Sequence, residues 1–372
     1  GVTPYVAPHE KVALTNNFLH TMFEQCQVFL NNVPVENTNK CYAYRAYLEN
    51  LLCYSKEAKQ NLLRGDFFFH EDKKVMEWAA KADNKLVEAT EQYAIVAKKG
   101  TDLQPSKTYE AYGKIHCDIF NIAKYLLNNI DVKVVLTRAA DRFCLLSDGV
   151  EAFVSIENTF LRIRRVKISN AVMLAHAMAL EQTTAKYPIK RVLVKPFVIP
   201  TNSSMFTISG IHFGIMPTRV VMGFVKTTAF SGVYKEDPYY FNHIGVSYLN
   251  LKVASRALPY AQGIRTSYIK TTNYTQGYLT LHKNIREASH GISYEGYKEG
   301  HTLYAFDLTP DLCSADHFNL LRDGSLDLDV QLDYSGTDLL TKDKSHTEIF
   351  YLEFDNIIEI TKDRQVLVDY KL

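Results

Sequence analysis

Among the 372 residues there is one tryptophan, and the 42 basic and 41 acidic side chains nearly cancel, to a formal net charge of +1. Each shortage excludes something. A chain this neutral has no electrostatic means of coating nucleic acid. A single Trp is a poor supply of platforms on which sugars stack. No apolar run reaches the ~18 residues that a membrane-spanning helix needs. The opening Gly1-Val2-Thr3-Pro4-Tyr5 lacks the charged and apolar regions of a signal peptide. A soluble chain is therefore expected, either intracellular or assembled inside a cell. The six cysteines, Cys26, Cys41, Cys53, Cys117, Cys144 and Cys313, form no CxxC pair. Their irregular spacing reads as free, buried thiols in a reducing compartment, binding no metal.

Signatures of catalysis are missing too. There is no GxxxxGK[ST] loop and no GxGxxG, so no backbone cradle of those kinds awaits a phosphate. Gly245-Val246-Ser247 is followed by Tyr248-Leu249, which is not a nucleophile elbow. The twelve histidines include no HExxH, and no Cys/His cluster has zinc spacing. No cofactor, metal or small-molecule substrate is expected, and the chain does not read as an enzyme.

What is present is β-structure. A composition of 47% hydrophobic and 22% charged residues is globular, and the length favours about two domains. Leu326, Leu328, Val330 and Leu332 alternate with Asp327, Asp329, Gln331 and Asp333. Successive strand side chains point to opposite faces, so this strand buries one face and wets the other. The flanking runs 302–308 and 349–360 are apolar on both faces, as central strands of a sandwich are. Residues 192–199, 206–209, 219–225 and 246–253 are further strand candidates, while 260–285 reads as a long loop with a short helix. Residues 234–243 and 260–285 are candidate towers or clasps between subunits. About eight strands with long connections is the count of a jelly roll.

The first half supplies a similar set less clearly. Val28-Phe29-Leu30, Asn31-Asn32 and Val33-Pro34-Val35 spell a hairpin, since Asn tolerates positive φ. Tyr44, Tyr47, Leu48, Leu51 and Leu52 predict an amphipathic helix within 42–63, ended by Gly65. Residues 72–85 read as a surface helix or loop. Residues 94–97, 115–122, 132–136, 143–146 and 153–168 read as strands. Asn170 is expected to cap a helix with Ala171, Leu174, Ala175 and Met178 on one face, stopped by Tyr187-Pro188. That helix predicts the division into an N-terminal jelly roll with an extended arm, 1–187, and a C-terminal one, 188–372.

Three constellations are candidates for chemistry. Asp307, Asp311 and Asp316 are close enough in sequence to suggest a glycosidase pair, but read more simply as a strand edge and a polar loop. Arg162, Arg164, Arg165 and Lys167 make a basic stripe, for an acidic partner or nucleic acid, or as a solvated face or inter-subunit ion pairs. His116-Cys117-Asp118 holds the residue types of a nucleophilic site, yet neighbours on a strand point to opposite faces and cannot meet.

Several segments carry a resemblance. Val154-Ser155-Ile156-Glu157-Asn158, Lys186-Tyr187-Pro188-Ile189-Lys190-Arg191, Met216-Pro217-Thr218-Arg219, Tyr304-Ala305-Phe306-Asp307-Leu308 and Glu353-Phe354-Asp355-Asn356-Ile357-Ile358 resemble a family found in Polintons (Mavericks), the virus-like DNA transposons, and in adintoviruses. Val28-Phe29-Leu30-Asn31-Asn32 and Tyr44-Arg45-Ala46-Tyr47-Leu48-Glu49 resemble the same family's opening motif. Its members resemble hexon-type major capsid proteins of tailless double-stranded DNA viruses. The resemblance implies an all-β fold of two tandem eight-stranded jelly rolls with a few short helices. It implies homotrimers that mimic hexamers and tile an icosahedral shell, with a penton or minor capsid protein as partner and the virion as location. It brings no catalytic, cofactor-binding or metal residue and no sequence-specific nucleic-acid binding. It also suggests that Gly1 is an end left by a processing protease, against the plainer reading of a trimmed end. The 24 Tyr and 20 Phe suit large surfaces between subunits. A minor capsid or penton protein, and a carbohydrate-binding β sandwich, are the alternatives.

Overall fold

A computed structural model describes residues 12–70, 108–147, 151–201, 203–257, 259–268, 271–285, 289–309, 322–333 and 345–369. The expected N-terminal arm, the segments 72–85 and 94–97, Asp311, Asp316 and Cys313 lie outside them. The fold is all-β, a double jelly roll with short helices.

The first half begins with β1 (Val12–Leu14) and α1 (Phe18–Thr21), followed by β2 (Phe23–Leu30) and β3 (Val33–Asn37). The hairpin forms as expected: Asn31 and Asn32 take φ of 47° and 64°, the pair of positive values that a tight two-residue turn needs. Next come α2 (Tyr42–Leu52), α3 (Lys56–Asn61) and a 3-10 turn, Leu62–Asp66. The expected single helix over 42–63 is thus broken. Ser55 starts a new one, its hydroxyl accepting from the Ala58 N–H at 3.2 Å. Phe67, at φ 56°, rather than Gly65, terminates the run. Nor is α2 amphipathic: all eleven of its residues are buried.

Residues 115–122 form no strand. A 3-10 turn, Asp118–Asn121, replaces it, because the Asp118 N–H goes to the Glu36 carboxylate at 2.6 Å and not to a ladder. β4 (Val132–Arg138) pairs with β2 in the order β3-β2-β4. α4 (Asp141–Cys144) takes up Phe143, so the strand expected at 143–146 starts at Leu145, as β5 (Leu145–Ser147), paired with β1.

α5 (Asn170–Gln182) leads into the second half. Its cap is Ser169 and not Asn170, the hydroxyl lying 3.4 Å from the Val172 N–H. It stops at Gln182, and Tyr187 and Pro188 already belong to β6 (Ala185–Ile199), inside which the expected 187/188 division falls. Then follow β7 (Met205–Ile215), β8 (Arg219–Lys226), α6 (Thr227–Ser231), β9 (Val246–Val253), β10 (Arg256–Ala257) and β11 (Ile264–Arg265). α7 (Thr275–Lys283), α8 (Tyr294–Lys298), β12 (Leu303–Asp307), β13 (Asp323–Leu332), β14 (His346–Ile360) and β15 (Val366–Val368) complete it.

These strands make two antiparallel sheets. One has the order β6-β14-β8-β12, with β15 taking over beside β14 where β8 ends. The other has the order β7-β13-β9, with β10 and β11 along the outer edge of β9. Sequence neighbours such as β6 and β7, or β13 and β14, lie in opposite sheets, the double crossing that makes a jelly roll. Leu326, Leu328 and Val330 are fully buried between the sheets, and Asp327 and Asp329 turn outward to bond Gly210 and Lys252. Gly210 is required there. It bulges β7 at φ 68°, opposite the shift of register between Leu326 and Leu328, and a Cβ would come within 2.6 Å of the Phe213 ring.

The halves share a core. Tyr187, Ile189, Ile358, Ile360 and Val366 pack with Cys26, Val28, Leu30 and Val35. The loop 234–243 is spent in the same way within the chain: Tyr239 stacks on Tyr47 of α2 at 4.1 Å and bonds Thr21 at 2.7 Å. Residues 260–285 likewise bury Tyr268 and Tyr274 over the second core.

Candidate functional site

Two features stand out, one buried between the halves and one exposed. The buried one is centred on Arg45, which α2 carries into the interior at 1% exposure. Its Nε donates to Glu49 Oε1 at 2.8 Å and its Nη2 to Asp118 Oδ1 at 2.7 Å, while Nη1 bonds Glu36. Glu36 sits on β3, Glu49 one turn along α2, and Asp118 at the 3-10 turn that follows residue 117. From the second half, Arg191 of β6 approaches Asp118 at 3.9 Å and the Tyr351 hydroxyl donates to Glu49 at 3.4 Å. Burial pushes the Glu36 and Asp118 carboxyls up, against the pull of Arg45. Burial also pushes Glu49 up, but the Arg45 charge and the hydrogen bonds from His116 and Arg45 outweigh it and hold the group at about 2. A guanidinium in a fixed fork can satisfy three carboxyls at once, which a lysine could not. Each member bonds another member, the arrangement of a fastener.

The exposed feature is residues 151–182, a second arm distinct from the N-terminal one. The expected strand at 153–168 is absent. Among the described residues its backbone finds no ladder partner, and its side chains stand in water. Phe153, Phe160, Leu161, Ile163 and Val166 are each at least 50% exposed. α5 continues the pattern: not one of its thirteen residues is buried, and Leu174 and Met178, on the face predicted to pack, are 64% and 65% exposed. An isolated helix of this length is marginal in water, since most helix stability comes from packing an apolar face. Among the described residues, ten of the 21 exposed large hydrophobic side chains lie between Phe153 and Met178. The aromatic load is otherwise well housed. Among the described residues six Tyr and Phe are exposed, Phe153 and Phe160 of the arm, with Tyr109, Tyr112, Tyr125 and Phe213.

Of the three constellations weighed from sequence, the aspartate group is described only at Asp307, since Asp311 and Asp316 lie outside the described residues. Asp307 ends β12, its Oδ1 accepting from the Thr309 N–H at 2.9 Å. Arg162, Arg164, Arg165 and Lys167 lie on the exposed arm, with Arg162 over the rings of Tyr112 and Phe160. His116, Cys117 and Asp118 do part company: His116 goes to Glu49 at 2.6 Å, the Cys117 Sγ lies 3.3 Å from that of Cys26, and Asp118 goes to Arg45. Sequence reasoning missed Arg45, Glu36 and Glu49. The available signal was a charged pair, Arg45 and Glu49, set four apart among Tyr and Leu on a helix that has no room for a wet face.

No family model matches the chain. An uncharacterised protein of Caenorhabditis elegans is 21% identical over 364 residues, covering 95% of this chain and 81% of that one. Among solved structures, a chain of the cryo-EM structure of the Sputnik virophage superposes with a TM-score of 0.60 at 11% identity, over 100% of this chain and 78% of that one. The Faustovirus major capsid protein gives 0.51 at 6% identity, over 95% and 74%. At these identities the likeness is one of fold, and the fold is one used by viral major capsid proteins.

Proposed function

We propose that this chain is a major capsid protein, of the kind carried by Polintons and adintoviruses, whose double jelly rolls associate as homotrimers that tile a virion shell. Its two domains would be residues 1–187 and 188–372. It would assemble inside the host cell and meet a penton or minor capsid protein, and it would have no catalytic role. The observation that carries this reading is the arm. A protein that folds two complete cores and still leaves ten large hydrophobic side chains in water along one segment is built to be covered. The occupant we assign is a second copy. Each copy of a cyclic trimer covers its neighbour and is itself covered, so one arm per chain closes the ring. The capsid-protein fold, spanning the whole chain, supports the same reading.

Burying the exposed part of Leu174 or Met178 contributes about 1–2 kcal/mol at each site. Replacing both with Asp adds the cost of desolvating two charges. Sedimentation at micromolar concentration should show a trimer for the natural chain and a monomer for the doubly substituted one, with unchanged circular dichroism. A natural chain that sediments as a monomer overturns the proposal. A pentamer would transfer it to a vertex protein.

A further inference from the structure

We propose that His20, Asp66 and His116 form a buried site for one divalent transition-metal ion, zinc being the best fit, that fastens three segments of the first half. This goes beyond the capsid reading and does not depend on it. The absence of a metal motif in the sequence concerned local spacing, whereas these residues lie 46 and 50 apart along the chain and meet only in the fold.

His20 comes from α1, Asp66 from the 3-10 turn after α3, and His116 from the segment leading to Asp118. One ligating atom from each lies within 4.8 Å of the other two. The His20 Nε2 and Asp66 Oδ2 are 3.3 Å apart. A tetrahedral ion holding ligands at about 2.0–2.1 Å sets them roughly 3.3–3.4 Å from one another, so this pair already has the required separation. The His116 atom lies no more than 4.8 Å from either, and any excess over that spacing must be closed by side-chain adjustment.

The second, independent observation is the state of His116. Its Nδ1 lies 2.6 Å from Glu49 Oε2, so Nδ1 carries the proton and donates it to the carboxylate. In the neutral imidazole, the form that binds a metal, this leaves Nε2 as the ligating nitrogen. That atom is buried and has no partner, in a side chain only 4% exposed overall. A carboxylate behind an imidazole whose far nitrogen is free is the arrangement that orients histidine ligands in metal sites. His20 is braced in the same manner, its Nδ1 lying 3.0 Å from the Tyr42 hydroxyl.

Asn50 supplies a fourth donor. Its Nδ2 lies 3.2 Å from Asp66 Oδ2, and its Oδ1 is buried without a partner. Amide nitrogen and oxygen are assigned from hydrogen bonding alone. Turning the Asn50 amide over places its oxygen beside Asp66. Turning Asn17 with it gives the Asn17 Nδ2, also buried and unpartnered, an acceptor. Two imidazoles, a carboxylate and an amide oxygen suit zinc, whereas calcium and magnesium favour oxygen alone. With His20 and Asp66 each 3% exposed, the site would be closed and structural.

The test uses the full chain, stripped with a chelator and then titrated with Zn²⁺ and with Co²⁺. We expect about one ion per chain, a visible Co²⁺ ligand-field band of a four-coordinate site, and a higher unfolding temperature on loading. X-ray absorption of the zinc-loaded natural chain should show nitrogen and oxygen scatterers and no sulfur. Asp66→Asn should weaken binding at least ~100-fold, and Glu49→Gln by roughly 10–100-fold. A stripped natural chain that takes up no stoichiometric ion overturns the proposal. So does sulfur scattering, which would move the ion to the Cys26 and Cys117 thiols, or a folded Asp66→Asn variant that binds undiminished.

Discussion

Glu348 sits on β14 with both neighbouring strands in place, opposite Phe197 of β6 and Phe224 of β8. It is fully buried and neither carboxyl oxygen has a hydrogen-bond partner. Burial alone pushes its pKa well above the ordinary 4.5. The folded chain therefore holds a neutral acid where the unfolded chain, above pH 4.5, holds a carboxylate, and folding takes up one proton. For a carboxyl raised in the folded state, its share of stability is fully present below the unfolded value and is lost as pH climbs towards the folded one. The slope for one proton is about 1.4 kcal/mol per pH unit. At pH 7 the loss relative to pH 4 is about 3 kcal/mol. Glu348→Gln removes that proton uptake, so it should stabilise the protein by about 3 kcal/mol at pH 7 and hardly at all at pH 4. Glu348→Met, close in volume, should add a pH-independent gain of about 1–3 kcal/mol by deleting two unsatisfied oxygens. Urea unfolding followed by circular dichroism from pH 4 to 8, at one fixed protein concentration because association shifts apparent stability, reads both numbers. A difference between natural and substituted chains that stays constant across that range would refute the reasoning, as would a destabilised Glu348→Gln at pH 7.

Arg45→Met should cost about 3–5 kcal/mol in the same assay, because it removes the one guanidinium that bonds all three of the buried Glu36, Glu49 and Asp118 carboxyls. A loss below about 1 kcal/mol would mean that the carboxyls are simply protonated and the pairing contributes little. The cysteines should all be reduced. Unfolding without reductant should expose six titratable thiols, four or fewer counting against the idea. In the native chain, burial pushes Cys41 and Cys144 up to about 12, so at pH 8 only the exposed Cys53, of the five cysteines among the described residues, should label quickly.

The second half was largely legible in the sequence because its strands obey local rules. The alternation from Leu326 to Leu332 fixes one wet and one dry face, and β13 has both. The span 246–253 coincides with β9. The Asn31-Asn32 turn was legible for a similar reason, two adjacent residues that accept positive φ. Other features were hidden because composition does not say what covers a residue. Phe153, Ile163 and Val166 have the chemistry of a core strand, and the absence of a pairing partner among the described residues leaves them in water. α2 shows helical spacing, but Arg45 and Glu49, off its apolar stripe, face buried carboxyls and an imidazole. His20, Asp66 and His116 have no local signature at all, since ligands drawn from three separate segments leave none.

The length of β14 has a consequence for synthesis. β6 and β8 stand on either side of it and do not pair with each other, so until β14 arrives the sheet has a vacant slot between two open edges. The interval from Ile199 to His346 takes roughly 7–30 s to translate at about 5–20 residues per second. During that time both edges are templates for wrong pairing, and a nascent chain at this stage needs shielding. The far end of β14 also completes the first half, through Ile358 and Ile360 beside Cys26 and Val28. Neither half can therefore mature on the ribosome ahead of the other. A chain cut short before residue 346 would lack the strand that joins β6 to β8 and packs against the first half.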